Sequence, residues 1–322
     1  MLDTSNILMR YAEHILLRKG QKVRRINLLT YFPIILISVS ITTLAKNVVN
    51  KNDTNIAEQS PDKSGYSIFN PTPTAFMREL NADRPDKTDC PFTVDAGRFQ
   101  IEVDFANLTY DRLNPEKNNV RFTAFEISPM NLKVGLLNNL DFQLVFTPFR
   151  WEKTNDLDAR TVEQKSGFNG ITPRFKLNLM GNDGGFFALA VIPFVKFPLS
   201  YDHLNNGFVE GGMGIPYSFD IPSWDVGFQT TFHFNHNEFG SANHVEIDNS
   251  VSVGHVLIGN FSLSAELFCN VSMEQGAYWV GTGDTWLTYQ VDEQLRFDGG
   301  VYIGLTLAAD DWHPWLGMTW RF

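Results

Sequence analysis

The sequence predicts an all-β fold, a transmembrane antiparallel β-barrel of about twelve strands, on three observations. The last eleven residues alternate, with Pro314, Leu316, Met318, Trp320 and Phe322 on one face and His313, Trp315, Gly317, Thr319 and Arg321 on the other. That is the two-residue period of a strand. The same alternation returns with few gaps from Gly97 onward. Turn-forming residues then punctuate every second connection. A soluble sandwich also alternates, but it needs one core to absorb every outward face of Phe, Leu and Val, whereas a barrel with a polar lumen needs none.

Composition agrees. The chain has 322 residues, of which 43% are hydrophobic and 13% aromatic, with 27 Phe. After residue 45 no apolar run suits a spanning helix. A barrel permits this, because only alternate residues of each strand meet lipid. A formal net charge of −10 argues against a nucleic-acid partner.

Residues 1–45 read as a signal peptide. Arg18, Lys19, Lys22, Arg24 and Arg25 precede the apolar run Ile26–Leu44, and Thr43-Leu44-Ala45 is a small-x-small exit, so cleavage is expected after Ala45. An uncleaved helical anchor is the rival; Pro33 and the scattered Ser and Thr argue against it. Residues 46–96 read as a periplasmic tether. Its first part is polar and Pro-containing without a period. Its second part carries Asp83, Arg84, Pro85, Asp86 and Lys87, charges of alternating sign around a Pro. Two readings stand side by side there: a solvated leader, or a plug that folds back into the lumen with Arg84 as anchor and Pro85 stiffening the turn.

The barrel is expected over 97–322. Strand one sets Phe99, Ile101, Val103 and Phe105 against Arg98, Gln100, Glu102 and Asp104. Strand two covers about 118–136, and its phase slips near Ser128-Pro129, where a bulge is expected. Strands three (141–153) and four (169–180) carry Phe142, Leu144 and Phe146, then Phe175, Leu177 and Leu179, outward. The stretch 154–168 between them reads as the longest outer loop. Strand five (186–199) is apolar on both faces apart from Lys196, so alternation leaves its orientation open. Strands six to ten follow at 207–220, 224–235, 242–257, 261–274 and 278–291. Strand eleven (295–308) puts Phe297, Val301, Ile303, Leu305 and Leu307 to lipid, and the closing strand ends on Phe322. Short turns such as Gly181-Asn182-Asp183-Gly184-Gly185 and Ile258-Gly259-Asn260 fall on the periplasmic side, and an even strand count returns the C-terminus there.

The inward positions gather Arg98, Glu102, Arg174, Lys176, Lys196, Glu210, Glu246, Glu266, Asp284, Arg296 and Asp298 into one lumen. Such a ring sets pore selectivity, or it pairs internally and fills a narrow barrel. Cys90 lies before the barrel and Cys269 on a lipid face, so no disulfide between them is expected. His233, His236 and His244 cluster near one outer hairpin, but solvated loop histidines are commoner than metal ligands; no metal or cofactor is expected. Ser250, Ser252, His244 and Asp248 lie in line along one strand, which does not make a catalytic triad, and no enzyme is expected.

The run from Met77 through Asp83-Arg84-Pro85-Asp86-Lys87 to Thr93-Val94-Asp95-Ala96-Gly97-Arg98-Phe99-Gln100-Ile101-Glu102 resembles the outer-membrane transporter-like proteins of the phenol meta-cleavage degradation pathway. Gly181-Asn182-Asp183-Gly184-Gly185, Val209-Glu210-Gly211-Gly212 and Ala308-Ala309-Asp310-Asp311-Trp312 extend the resemblance over about residues 77–322. Cys90 departs from the pattern, where a small polar residue is expected. The resemblance implies a barrel in the outer membrane of a Gram-negative-type cell that admits small, hydrophobic or aromatic solutes. A non-conducting barrel that binds partners is the alternative. Lipid, a small solute and the barrel-assembly machinery acting on the strand that ends at Phe322 are the expected partners.

Overall fold

A computed structural model describes residues 62–114, 120–200, 204–237 and 242–322. The expected signal peptide and residues 46–61 of the tether lie outside the described residues. Thirteen strand segments follow one another: β1 (Phe99–Asn114), β2 (Val120–Ile127), β3 (Met130–Leu137), β4 (Leu140–Asp156), β5 (Thr161–Met180), β6 (Phe187–Ser200), β7 (Glu210–Ile221), β8 (Trp224–His236), β9 (Asn243–Ile258), β10 (Phe261–Ser272), β11 (Val280–Gln290), β12 (Leu295–Gly304) and β13 (Trp312–Arg321). Each pairs antiparallel with its neighbours, and β13 pairs with β1, which closes the sheet. Closure leaves no free edge, the condition for a sheet to sit in lipid.

The segments make a twelve-stranded barrel, because β2 and β3 are two halves of one barrel strand. Both pair with β1 on one side and β4 on the other. Between them Ser128 takes φ 54° and the Pro129 carbonyl accepts from the Asp104 amide at 3.0 Å. A residue without an N–H cannot continue the ladder, so the strand is interrupted where the sequence phase slips.

Two expected boundaries are corrected. The stretch 154–168 is not a loop: β4 runs on to Asp156 and β5 starts at Thr161, paired residue for residue from Trp151↔Ser166 to Asp156↔Thr161. A polar stretch still forms ladder bonds when both faces meet water beyond the membrane. Strand eleven stops early. β12 ends at Gly304, and Leu305 and Leu307 lie in the following turn, where the Ala309 amide donates to the Thr306 carbonyl.

One rim carries the start of β1, the end of β13 and five short connections, periplasmic in the expected orientation. Outward aromatics collect near it: Phe99 on Phe322 at 5.9 Å, Phe142 on Phe175 at 5.2 Å, Trp224 on His255 at 4.7 Å and Phe261 on Tyr289 at 4.7 Å. This is an interfacial girdle of an outer-membrane barrel. The orientation that alternation left open in β6 is settled by burial: Ala188, Ala190 and Ile192 are buried inward beside Lys196, opposite Ser218, Gly214 and Glu210 of β7. Small residues on both strands leave room in the lumen. Cys90 and Cys269 are both free.

Candidate functional site: the charged lumen

The segment ahead of β1 runs along inward-facing side chains of the barrel wall, first away from the periplasmic rim and then back. Close to the rim, Arg78 pairs with Asp95 at 3.3 Å and Asp183 at 2.9 Å, and it donates to the Asn138 carbonyl at 2.8 Å. The Asn81 carbonyl accepts from Gln100 at 2.8 Å. Pro85 and Lys87 mark the turn, where Tyr302 donates to the Pro85 carbonyl and the Lys87 ammonium lies 2.7 Å from the Thr282 hydroxyl and 3.3 Å from Asp284. On the return leg Thr88 meets Glu266 and Ser250, the Asp89 amide meets Gln229 at 2.6 Å, and the Asn178 side chain donates to the Pro91 carbonyl at 2.8 Å. Asp95 then pairs with Arg321, next to the last residue of the chain. Gly135 makes room at the rim, since a Cβ there would overlap the Asp95 carbonyl.

Asp83 and Arg84 sit on two neighbouring sectors of the wall. In the first, Lys133 of β3, Gln143 of β4 and Arg174 of β5 form one lateral row, with Lys176 one inward position below Arg174. Strands lie about 4.8 Å apart, so long side chains from β3 and β5 converge over the neutral amide between them. There Asp83 pairs with Lys133 at 2.6 Å, with Arg174 at 3.1 Å and with Lys176. Glu102 holds Lys133 from the other side at 2.5 Å. In the second sector Asp104 of β1, Gly317 of β13 and Asp298 of β12 form a row across the seam where first and last strands meet. Arg84 lies against Gly317, pairs with Asp104, and approaches Asp298 at 2.6 Å. The Asp298 approach is an ion contact rather than an aligned hydrogen bond, since neither atom has a hydrogen-bond partner.

Burial and the charges beside each group together set the proton affinities of this segment. For Asp83 burial alone would raise the carboxyl, but the Lys133, Lys176 and Arg174 charges outweigh it and hold the group well below the usual carboxylate range. Asp86 has less help: burial pushes it up to about 7 against a Ser252 hydrogen bond and the Arg296 charge. Asp89 is raised by burial as well. Burial likewise pushes the Cys90 thiol up to about 12, so it stays protonated near neutral pH.

Of the expected lumen residues, Glu102, Arg174, Lys176, Glu266, Asp284, Arg296 and Asp298 come together around the segment; Arg296 donates to the Arg84 carbonyl at 2.7 Å. Arg98 lies apart, before β1 at the rim, where it donates to the Thr72 carbonyl at 2.7 Å. Lys196 and Glu210 pair with each other at 3.0 Å on β6 and β7. Glu246 belongs to a separate cluster: it accepts from His244 at 3.0 Å and Asn270 at 3.3 Å, beside a His233–Asp248 contact of 2.7 Å. Among the described residues no group of three or more His, Cys, Asp or Glu is placed to hold a metal ion.

Sequence reasoning missed Lys133, Arg78, Asp95 and the role of Asp104. Lys133 alternates with Met130, Leu132 and Val134, and that signal was legible once the strand is split at Pro129. Arg78 and Asp95 lie outside the strands and have no such signal: Arg78 meets the turn residues Asn138 and Asp183, and Asp95 meets Arg78 and Arg321.

A family model described as the MetA-pathway of phenol degradation matches residues 82–322. No curated protein sequence matches the chain. The fold is similar to the crystal structure of an outer membrane channel from Pseudomonas putida F1, at 14% identity and TM-score 0.54, over 75% of this chain and 100% of that one. Weaker likenesses are the transport unit of the autotransporter AIDA-I from Escherichia coli (12% identity, TM-score 0.46, 77% and 94% covered) and a Pseudomonas aeruginosa FadL homologue (10%, 0.43, 81% and 96%). At 14% identity the likeness to the Pseudomonas putida channel extends to the fold and no further.

Proposed function

The chain belongs to that phenol-degradation family of outer-membrane barrels, and from this premise we propose that it is a passive channel for small, hydrophobic or aromatic solutes, closed at rest by its own segment 77–95. The supporting observation is the lumen itself. Its wall is charged and polar, and its ion pairs are completed by Asp83, Arg84 and Lys87 rather than by the wall alone. A barrel built only as a rigid scaffold has no need of a separate chain segment to satisfy its inward charges. In this reading Arg84 anchors the plug at the β1–β13 seam, and the wall charges uncovered by its release tune which solutes pass. The strand ending at Phe322 would engage the assembly machinery. No bond-making chemistry is assigned to the lumen.

Conductance in planar bilayers tests this. Arg84→Ala, or deletion of residues 46–90, is expected to raise conductance several-fold while the barrel still assembles. Assembled variants that stay as silent as the parent chain would leave the partner-binding barrel as the better reading.

A further inference from the structure

We infer that Lys133, Arg174 and Lys176 form a carboxylate-binding site in the lumen, filled at rest by the chain's own Asp83 and Asp89, and that a small organic carboxylate entering the barrel competes with them and frees the segment. The inference rests on the channel reading and names its solute class.

The geometry is that of an occupied ligand site. Both oxygens of Asp83 are engaged: Oδ1 takes Lys176, with the Cys90 amide at 3.1 Å, while Oδ2 takes Lys133 at 2.6 Å and Arg174 at 3.1 Å. Asp89 adds a second carboxylate on Arg174 at 3.1 Å. The hydrogen-bond acceptors around the Lys176 ammonium are Asp83, the Cys90 carbonyl and sulfur and the Phe92 carbonyl, all from the segment and none from the wall. Two of the three cations also have partners on the wall itself. Gln143 accepts from Arg174 Nε at 2.5 Å and from Asn131 at 3.2 Å, and Glu102 holds Lys133.

Withdrawal of the segment removes Asp83 and Asp89 together. The cradle then keeps three cations against two wall carboxylates, Glu102 and Asp141, and Lys176 loses its acceptors. A buried cation without a partner is costly, so the withdrawn state calls for an anion. A planar group with two oxygens reproduces what Asp83 supplies, and Arg and Lys bind it through charge-assisted hydrogen bonds. An anion that binds only the withdrawn state shifts the equilibrium toward it by mass action. The chain has thus built into its own segment a copy of the group it is to admit.

The test uses the purified full chain in detergent, with trypsin cleavage within 77–95 as the readout of withdrawal, at constant ionic strength. Sodium benzoate is expected to raise the cleavage rate several-fold over sodium chloride, while benzyl alcohol, of the same ring and no charge, leaves it unchanged. Arg174→Gln is expected to lose the benzoate response. Asp83→Asn, which keeps shape and removes the charge, is expected to raise basal cleavage and to respond at lower benzoate. Equal effects of benzoate and benzyl alcohol, an equal effect of phosphate, or a full benzoate response in Arg174→Gln would each overturn the carboxylate site. Conductance separates the two readings. A benzoate-sensitive segment in a chain that never conducts removes the channel and keeps the site; a chain that conducts but ignores benzoate removes only the site.

Discussion

Asp104 of β1 and Asp298 of β12 stand in one lateral row on either side of Gly317, and the Arg84 guanidinium takes both. Two carboxylates facing one lumen across the barrel seam repel; one planar cation with a terminal nitrogen toward each reconciles them. Lysine offers a point charge and cannot reach both in the same way. Arg84→Lys is therefore expected to fall between the parent chain and Arg84→Ala in the urea concentration that exposes the segment to trypsin. Breaking a buried pair of this kind costs about 3–5 kcal/mol, so the Arg84→Ala shift is expected to be large. A midpoint for Arg84→Lys equal to that of the parent would mean that a single charge suffices.

Docking of the segment is expected to weaken with rising pH. Asp86 is pushed up to about 7 in the docked segment from an ordinary 3.8, so the docked state holds a proton that the free segment releases. Its contribution is fully present below the ordinary value and is lost as pH rises toward about 7. Asp89 is shifted in the same direction and adds to the slope. Asp83 runs the opposite way, but its change lies well below the ordinary carboxylate range and is flat between neutral and mildly acidic pH. Trypsin susceptibility of the segment, corrected for the enzyme's own pH profile, should rise from acidic to neutral buffer, and Asp86→Asn should flatten most of that rise. A parent chain with no slope would show that Asp86 stays ionised when docked.

The two faces of β10 provide a matched pair. Leu267 points to lipid near mid-strand and is 57% exposed, whereas Ser264 points to the lumen. An Arg on the lipid face near the bilayer midplane costs about 2–4 kcal/mol of barrel stability. Leu267→Arg is expected to show that loss in reversible urea unfolding from lipid vesicles, and Ser264→Arg much less. Similar losses at both positions would contradict the assigned faces.

Mass spectrometry of the outer-membrane form is expected to find a mature chain beginning at Lys46. Retention of residues 26–45 would point instead to a helical anchor ahead of the barrel.

The sequence by itself determined the barrel. Strand pairing obeys a period of two, and lipid on one side with charge on the other writes that period into side-chain polarity, so the faces of Phe99, Leu263 and Trp320 could be read without coordinates. It also marked a phase slip with a bulge near Ser128-Pro129, where β2 and β3 separate, and singled out the charges of 83–87. Only the tertiary structure decided which charge meets which. Lys133 and Asp83 touch because β3, split from β2 by a bulge, brings Lys133 into register with Gln143 and Arg174. Arg84 finds Asp104 and Asp298 because closure sets residues from the two ends of the barrel side by side. Register and closure are properties of the whole sheet, and local alternation says which face a residue takes but not which residue of another strand stands beside it.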